Sequence, residues 1–196
     1  MNRAELKAKA KAQIKAPFWN LVVIILLTTL LCGIPYASLV IAPALSLSMC
    51  MIYLKVVRGG QVEISDLFSG FHKLGRAWWM NFLIGLFTAL WSMLLVIPGI
   101  VKSYSYSMAY YVLADNPEMT ARQAIKESMR IMEGHKMELF AIHLSFLGWM
   151  LLSLVTFGLS AFYVIPYMSA TVANFYENIK GGYAAAEPAD TYAYEY

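Results

Sequence analysis

Apolar residues along this chain fall in long unbroken blocks rather than in alternation. The blocks cover residues 18–34, 36–57, 77–97, 98–114, 139–156 and 161–176. Several approach the roughly 20 residues with which a helix crosses about 30 Å of hydrocarbon. In lipid every backbone polar group needs an internal partner, which leaves helices or a closed barrel. Blocks without a period of two point to helices. The predicted fold class is therefore all-α: a polytopic membrane protein of six transmembrane helices, arranged as three hairpins with amphipathic cytoplasmic helices between them.

The polar stretches carry their own periodicity. In NRAELKAKAKAQIKA, Leu6, Ala10 and Ile14 form a narrow apolar stripe beside five bases. Such a helix suits the anionic inner leaflet of a membrane, or serves only to orient the chain. The run that follows reads as an uncleaved anchor, because Leu31 precedes Cys32 and no convincing cleavage site follows. Between residues 58 and 76, Ser65 is expected to cap a short helix with Leu67, Phe68, Phe71 and Leu74 on one face, ended by Gly75. Trp78 and Trp79 beside Arg76 read as an interfacial anchor. Between residues 115 and 138, Thr120 and Gln123 form a capping box, and Gly134 closes the helix. The predicted organisation is a basic segment over 1–16, a membrane domain over 17–180 and a disordered cytoplasmic tail over 181–196.

Composition agrees with the blocks: 60% of residues are hydrophobic and 14% charged, about half the charged share of a soluble domain. A net charge of +3 does not call for nucleic acid. The positions of the charges say more. Fourteen of the fifteen lysines and arginines lie in the N-terminal segment, the two polar loops with their flanks, and the tail. Six crossings with both termini in the cytoplasm put all fourteen on one side, as the positive-inside rule asks. Lys102 is the exception.

One unit recurs. PALSLSMCMIY from Pro43 and PYMSATVANFY from Pro166 each place Ser three, a small residue seven and Tyr ten residues after the proline. The middle unit is looser and shifted by two. Ala42, Ser46, Cys50, Gly99, Ser169 and Ala173 are the candidate helix-packing positions, since small residues let membrane helices approach closely. The returning helix of each hairpin is expected to form the inner layer.

Candidate chemistry is sparse. Lys102, Tyr106 and Tyr110 lie one turn apart on the fourth block, with Ser103 and Ser107 on the adjacent stripe. A base within a crossing is a candidate ligand contact, although Lys102 is close enough to the block's start to snorkel. No Asp or Glu lies inside any crossing, which argues against a carrier coupled through buried carboxylates. His135, Glu138 and His143 match no ligand spacing, so no metal and no cofactor is expected. HExxH, GxSxG and the P-loop are absent from the sequence. Cys32 and Cys50 are expected to stay free.

The stretch VIPGIVKSYSYSMAYYVLADNPEMTARQAIKESMRIMEGHKMELF resembles the bacterial integral membrane proteins grouped as domain of unknown function 975. LGWMLLSLVTFGLSAFYVIPYMSATVANFYENI is similar to that family's ending. The resemblance implies a multi-helix protein of the bacterial cytoplasmic membrane and supplies no catalytic residues. The function expected is non-enzymatic: binding or helping to move an amphiphile, or serving as a subunit of a membrane assembly. Its expected partners are the lipid bilayer, anionic inner-leaflet lipids, and a membrane protein or a second copy. The alternative is a membrane enzyme acting on lipid headgroups through His135, Glu138 and His143.

Overall fold

The computed structural model describes residues 3–33, 35–94, 96–156, 158 and 160–184. All regular structure among them is helical. The order is α1 (Arg3–Gln13), α2 (Phe18–Cys32), α3 (Pro35–Val57), a 3-10 segment (Ile64–Lys73), α4 (Leu74–Leu94), α5 (Val96–Tyr106), α6 (Ala109–Asp115), α7 (Ala121–Ile131), α8 (Lys136–Val155) and α9 (Ala161–Ala184).

Residues 40–57 of α3 are long and apolar enough to cross a membrane, and α1 with α2 passes the same criterion as a pair bent by 92°. Helix length and composition thus supply one or two candidate spans among the described residues, against the six predicted. α2 alone has 15 residues, short of a full crossing. The fourth block is not one helix: α5 has 11 residues and α6 has 7. Neither spans more than about 17 Å at 1.5 Å per residue.

The break between α5 and α6 has a local and a distant contribution. The hydroxyls of Ser103 and Ser107 donate to the carbonyls of Ile100 and Tyr104, each at 2.7 Å. Serines bonded back to their own turn compete with the helical ladder. The Ser105 carbonyl instead accepts the buried Ser128 hydroxyl of α7 at 2.7 Å. A hydroxyl from outside thus satisfies a carbonyl at the break.

The first polar loop also departs from expectation. Its helix is 3-10, and Glu63, not Ser65, holds the N-cap position. The Glu63 amide donates to Asp66 Oδ2 at 2.9 Å, while the Ser65 hydroxyl donates to Glu63 Oε2 at 3.0 Å. Gly75 lies inside α4 and ends nothing. The Thr120–Gln123 capping box is present as predicted, and Gly134 leaves α7 at φ +80°. Gly181 to Ala184 continue α9, against the predicted disorder from 181; the rest of the predicted tail, 185–196, lies outside the described residues.

The apolar stripe of α1 is not left for lipid. Leu6, Ala10 and Ile14 are buried against the chain's own helices, chiefly α9. Lys7 lies 4.3 Å from the Phe146 ring of α8, and Gln13 links the Val57 carbonyl to Asn174 of α9.

The inner layer is α3, α6 and α9, with Ile52, Tyr53, Val112, Leu113, Ala173 and Tyr176 buried. One feature recurs on this layer and on α5. Ser48, Ser105 and Thr171 are buried and donate to the carbonyl four residues back, at 3.1, 3.1 and 2.8 Å. Each lies five residues before a tyrosine: Tyr53, Tyr110 or Tyr176. A hydroxyl satisfied by its own helix can enter an apolar interior at little cost. The packing follows the same rotation. The 3-10 segment lies on α3, α7 lies on α5 and α6, and α1 lies on α9. An amphipathic segment thus covers each of the equivalent helices, and the first segment of the chain covers the last.

The packing positions expected from small-residue spacing are partly different. Ser46 is exposed, whereas Ala42, Cys50 and Ser169 are half-buried and Ala173 is fully buried. Gly99 sits against α4, where an added Cβ would lie 2.5 Å from Ser92 Oγ. On α3 the close contact is at Ala44 and Ser48, met by Gly70 of the 3-10 segment, whose amide donates to Ser48 Oγ at 2.9 Å.

Candidate functional site

The charged residues of the inner layer gather where α3 and α6 end and α9 runs past them. Arg58 follows α3, Asp115 is the last residue of α6, and Tyr176, Glu177 and Lys180 are on α9. The Asp115 side chain is 4% exposed. Its Oδ1 accepts from Arg58 Nη2 at 2.6 Å, and its Oδ2 accepts from Lys180 Nζ and from the Tyr176 hydroxyl, the latter at 3.1 Å. Arg58 also donates to Glu177 Oε1. The Tyr176 ring stacks on Tyr111 of α6 at 5.4 Å. Burial pushes the Asp115 carboxyl up, but the hydrogen bonds and charges of Lys180 and Arg58 more than offset it, holding the carboxyl below its ordinary value. A carboxylate with three donors is a tie between helices, not a free base.

Beside this tie is a cleft of about 280 Å³ lined by Met51, Leu54, Lys55, Arg58, Gly60, Ala114 and Asp115. Its bases are paired: Lys55 Nζ lies 2.9 Å from Asp66 Oδ2 and Arg58 holds Asp115. A second cleft, of about 450 Å³, lies between the starts of α4 and α7. Gly75, Arg76, Trp79, Thr120, Ala121 and Arg122 line it.

Of the residues predicted to form a site on the fourth block, Lys102 and Tyr106 both meet Trp91 of α4. Lys102 Nζ sits 5.1 Å from the Trp91 ring of α4. Tyr106 is buried beside Phe87, at 6.4 Å between ring centroids. Tyr110 donates to Asn81 Oδ1 at 3.2 Å, and Ser103 and Ser107 are exposed and bonded to their own turns. His135 Nδ1 is 3.5 Å from Glu138 Oε2, while His143 packs at 5.8 Å against the Tyr104 ring. No cluster of three or more His, Cys, Asp or Glu with metal-holding geometry occurs among the described residues. Cys32 and Cys50 are free thiols.

The stretch from the end of α4 through α9 includes the α5–α6 break, the box at Thr120 and most of the Asp115 tie. Residues 93–182 match the family model of DUF975, proteins of unknown function. The resemblance expected from Val96 onward is met there. The DUF975 region holds Asp115, Tyr176, Glu177 and Lys180, while their partner Arg58 lies outside it. No curated protein and no solved structure matches the chain.

Proposed function

We propose that this DUF975 protein is a six-crossing protein of the bacterial cytoplasmic membrane with both termini inside. Its role would be non-enzymatic: it binds or helps to move an amphiphile within a membrane assembly. The observation that carries the reading is the outward face of the outbound helices. Trp19, Val23, Leu26 and Leu30 on α2 are exposed, as are Trp79, Phe82, Leu86 and Leu90 on α4. Met137, Phe140, Leu144, Leu147 and Leu151 do the same on α8. Each set repeats at three and four residues, so each is one continuous apolar stripe. Three such stripes exceed the scattered apolar residues of a soluble surface, and hydrocarbon is the solvent that suits them. Fourteen of the fifteen bases lie in the N-terminal segment, the two polar loops with their flanks, and the tail, in line with the positive-inside rule. A non-enzymatic role fits the tie, because its buried carboxylate is saturated by donors. The protein is expected to stay with membranes through high salt and alkaline carbonate, and to leave only with detergent. Release by carbonate alone would remove the reading.

A further inference from the structure

We propose that the cleft between α4 and α7 binds the phosphate headgroup of an anionic phospholipid, with an acyl chain lying along α4; this rests on the membrane reading above. Two arginines, Arg76 and Arg122, line the cleft. Among the described residues neither is ion-paired to a carboxylate, whereas Lys55, Arg58, Arg130 and Lys180 each are. Glu118 lies in the same loop but does not line the cleft. Arg76 is anchored by a hydrogen bond from Nη1 to the Pro117 carbonyl, which fixes its stem across the α6–α7 loop and leaves its other nitrogens as donors. A guanidinium offers a planar fork that matches phosphate oxygens, and two forks facing one cleft select for an anion. The volume, about 450 Å³, falls within the roughly 300–1,000 Å³ typical of small-ligand sites.

The remaining wall selects for an amphiphile over a free anion. Trp79 lines the cleft and lies three residues after Arg76, on the same face of α4. Its ring stacks on Phe82 at 5.6 Å and 22°. Leu86 and Leu90 continue the exposed stripe away from the cleft. A head bound at the arginines therefore finds an apolar track about 17 Å long, eleven helical rises from Trp79 to Leu90. Indole at the headgroup level and aliphatic residues deeper follow the usual order of a membrane interface.

The test uses the full chain in detergent, titrated with mixed micelles containing phosphatidylglycerol or phosphatidylcholine, and separately with inorganic phosphate. The wild type is expected to prefer phosphatidylglycerol. Arg76→Gln with Arg122→Gln is expected to weaken that binding roughly thirtyfold, taking about 1 kcal/mol for each base near an anionic surface. A control with the same charge change, Lys126→Gln with Lys136→Gln outside the cleft lining, is expected to keep the preference. Arg76→Lys with Arg122→Lys retains the charge without the fork and should fall between, which separates loss of binding from loss of folding. Equal loss in the lysine control, or no loss in the arginine variants, would overturn the site. Inorganic phosphate binding as tightly as the lipid would overturn the lipid as occupant. A chain that resists carbonate extraction yet shows no lipid preference would sink this proposal alone and leave the membrane reading standing.

Discussion

Asp115→Ala is expected to lower stability by about 2 kcal/mol. Removing one partner of a buried ion pair costs about 3–5 kcal/mol. Here Arg58 and Lys180 are 47% and 44% exposed, so water recovers part of the loss. For a chain of this size the melting temperature should fall by about 4–8 °C. Asp115→Asn separates charge from shape, since it keeps an acceptor oxygen for Tyr176 and drops only the charge. The sign of its pH dependence is fixed. The folded carboxyl titrates below its ordinary value, so its stabilisation is complete above the unfolded pKa of about 4 and disappears as the pH falls through the folded value. The gap in melting temperature between wild type and Asp115→Asn should therefore close below about pH 4. A gap that persists in acid would mean that the tie is held by shape rather than charge.

The second large effect is steric. Gly70→Val is expected to destabilise by about 3 kcal/mol or more, at or beyond the upper end of overpacking costs. A Cβ at Gly70 would stand 2.6 Å from Ser48 Oγ and 2.9 Å from the Ser48 amide, and would also meet the Ala44 carbonyl. Two of these three neighbours are backbone of α3 and cannot rotate away. Gly85→Ala is the internal comparison. Nothing lies within 4 Å of its Cβ, and it sits mid-helix in α4, so the change should be neutral or stabilising by up to about 1 kcal/mol. Thermal melts in detergent would read both. Equal effects at the two glycines would mean that the 3-10 segment does not rest on α3.

Much of this architecture was legible in the sequence, and the parts that were not share a cause. Long apolar blocks and the 120–123 box are local signals, and they led to α2, α3, α4, α8, α9 and α7. The repeat was visible in the prolines of α3 and α9, but its middle copy is shifted by two. The buried hydroxyls Ser48, Ser105 and Thr171 restore the register, with the residue five places later always tyrosine. The break in the fourth block depends on Ser128, 23 residues beyond Ser105, and no local pattern announces such a partner. The Asp115 tie joins residues 57 and 65 positions apart. A signal for it did exist, because Arg58 and Asp115 each follow a repeat tyrosine by five residues and Lys180 follows one by four. Charge counts along the loops, which set topology, do not reveal it. The stripe of α1 was read correctly as apolar, but a stripe alone does not say whether lipid or protein covers it. Placing α1 on α9 requires the first and last segments of the chain to meet.

Reporter fusions along the chain test the central claim most directly. Fused after Gly33, Lys73, Gly99, Gly134, Gly158 and Lys180, a reporter should read outside, inside, outside, inside, outside and inside, as fourteen of the fifteen bases on the inner side require. Two neighbouring fusions reporting the same side would contradict six crossings.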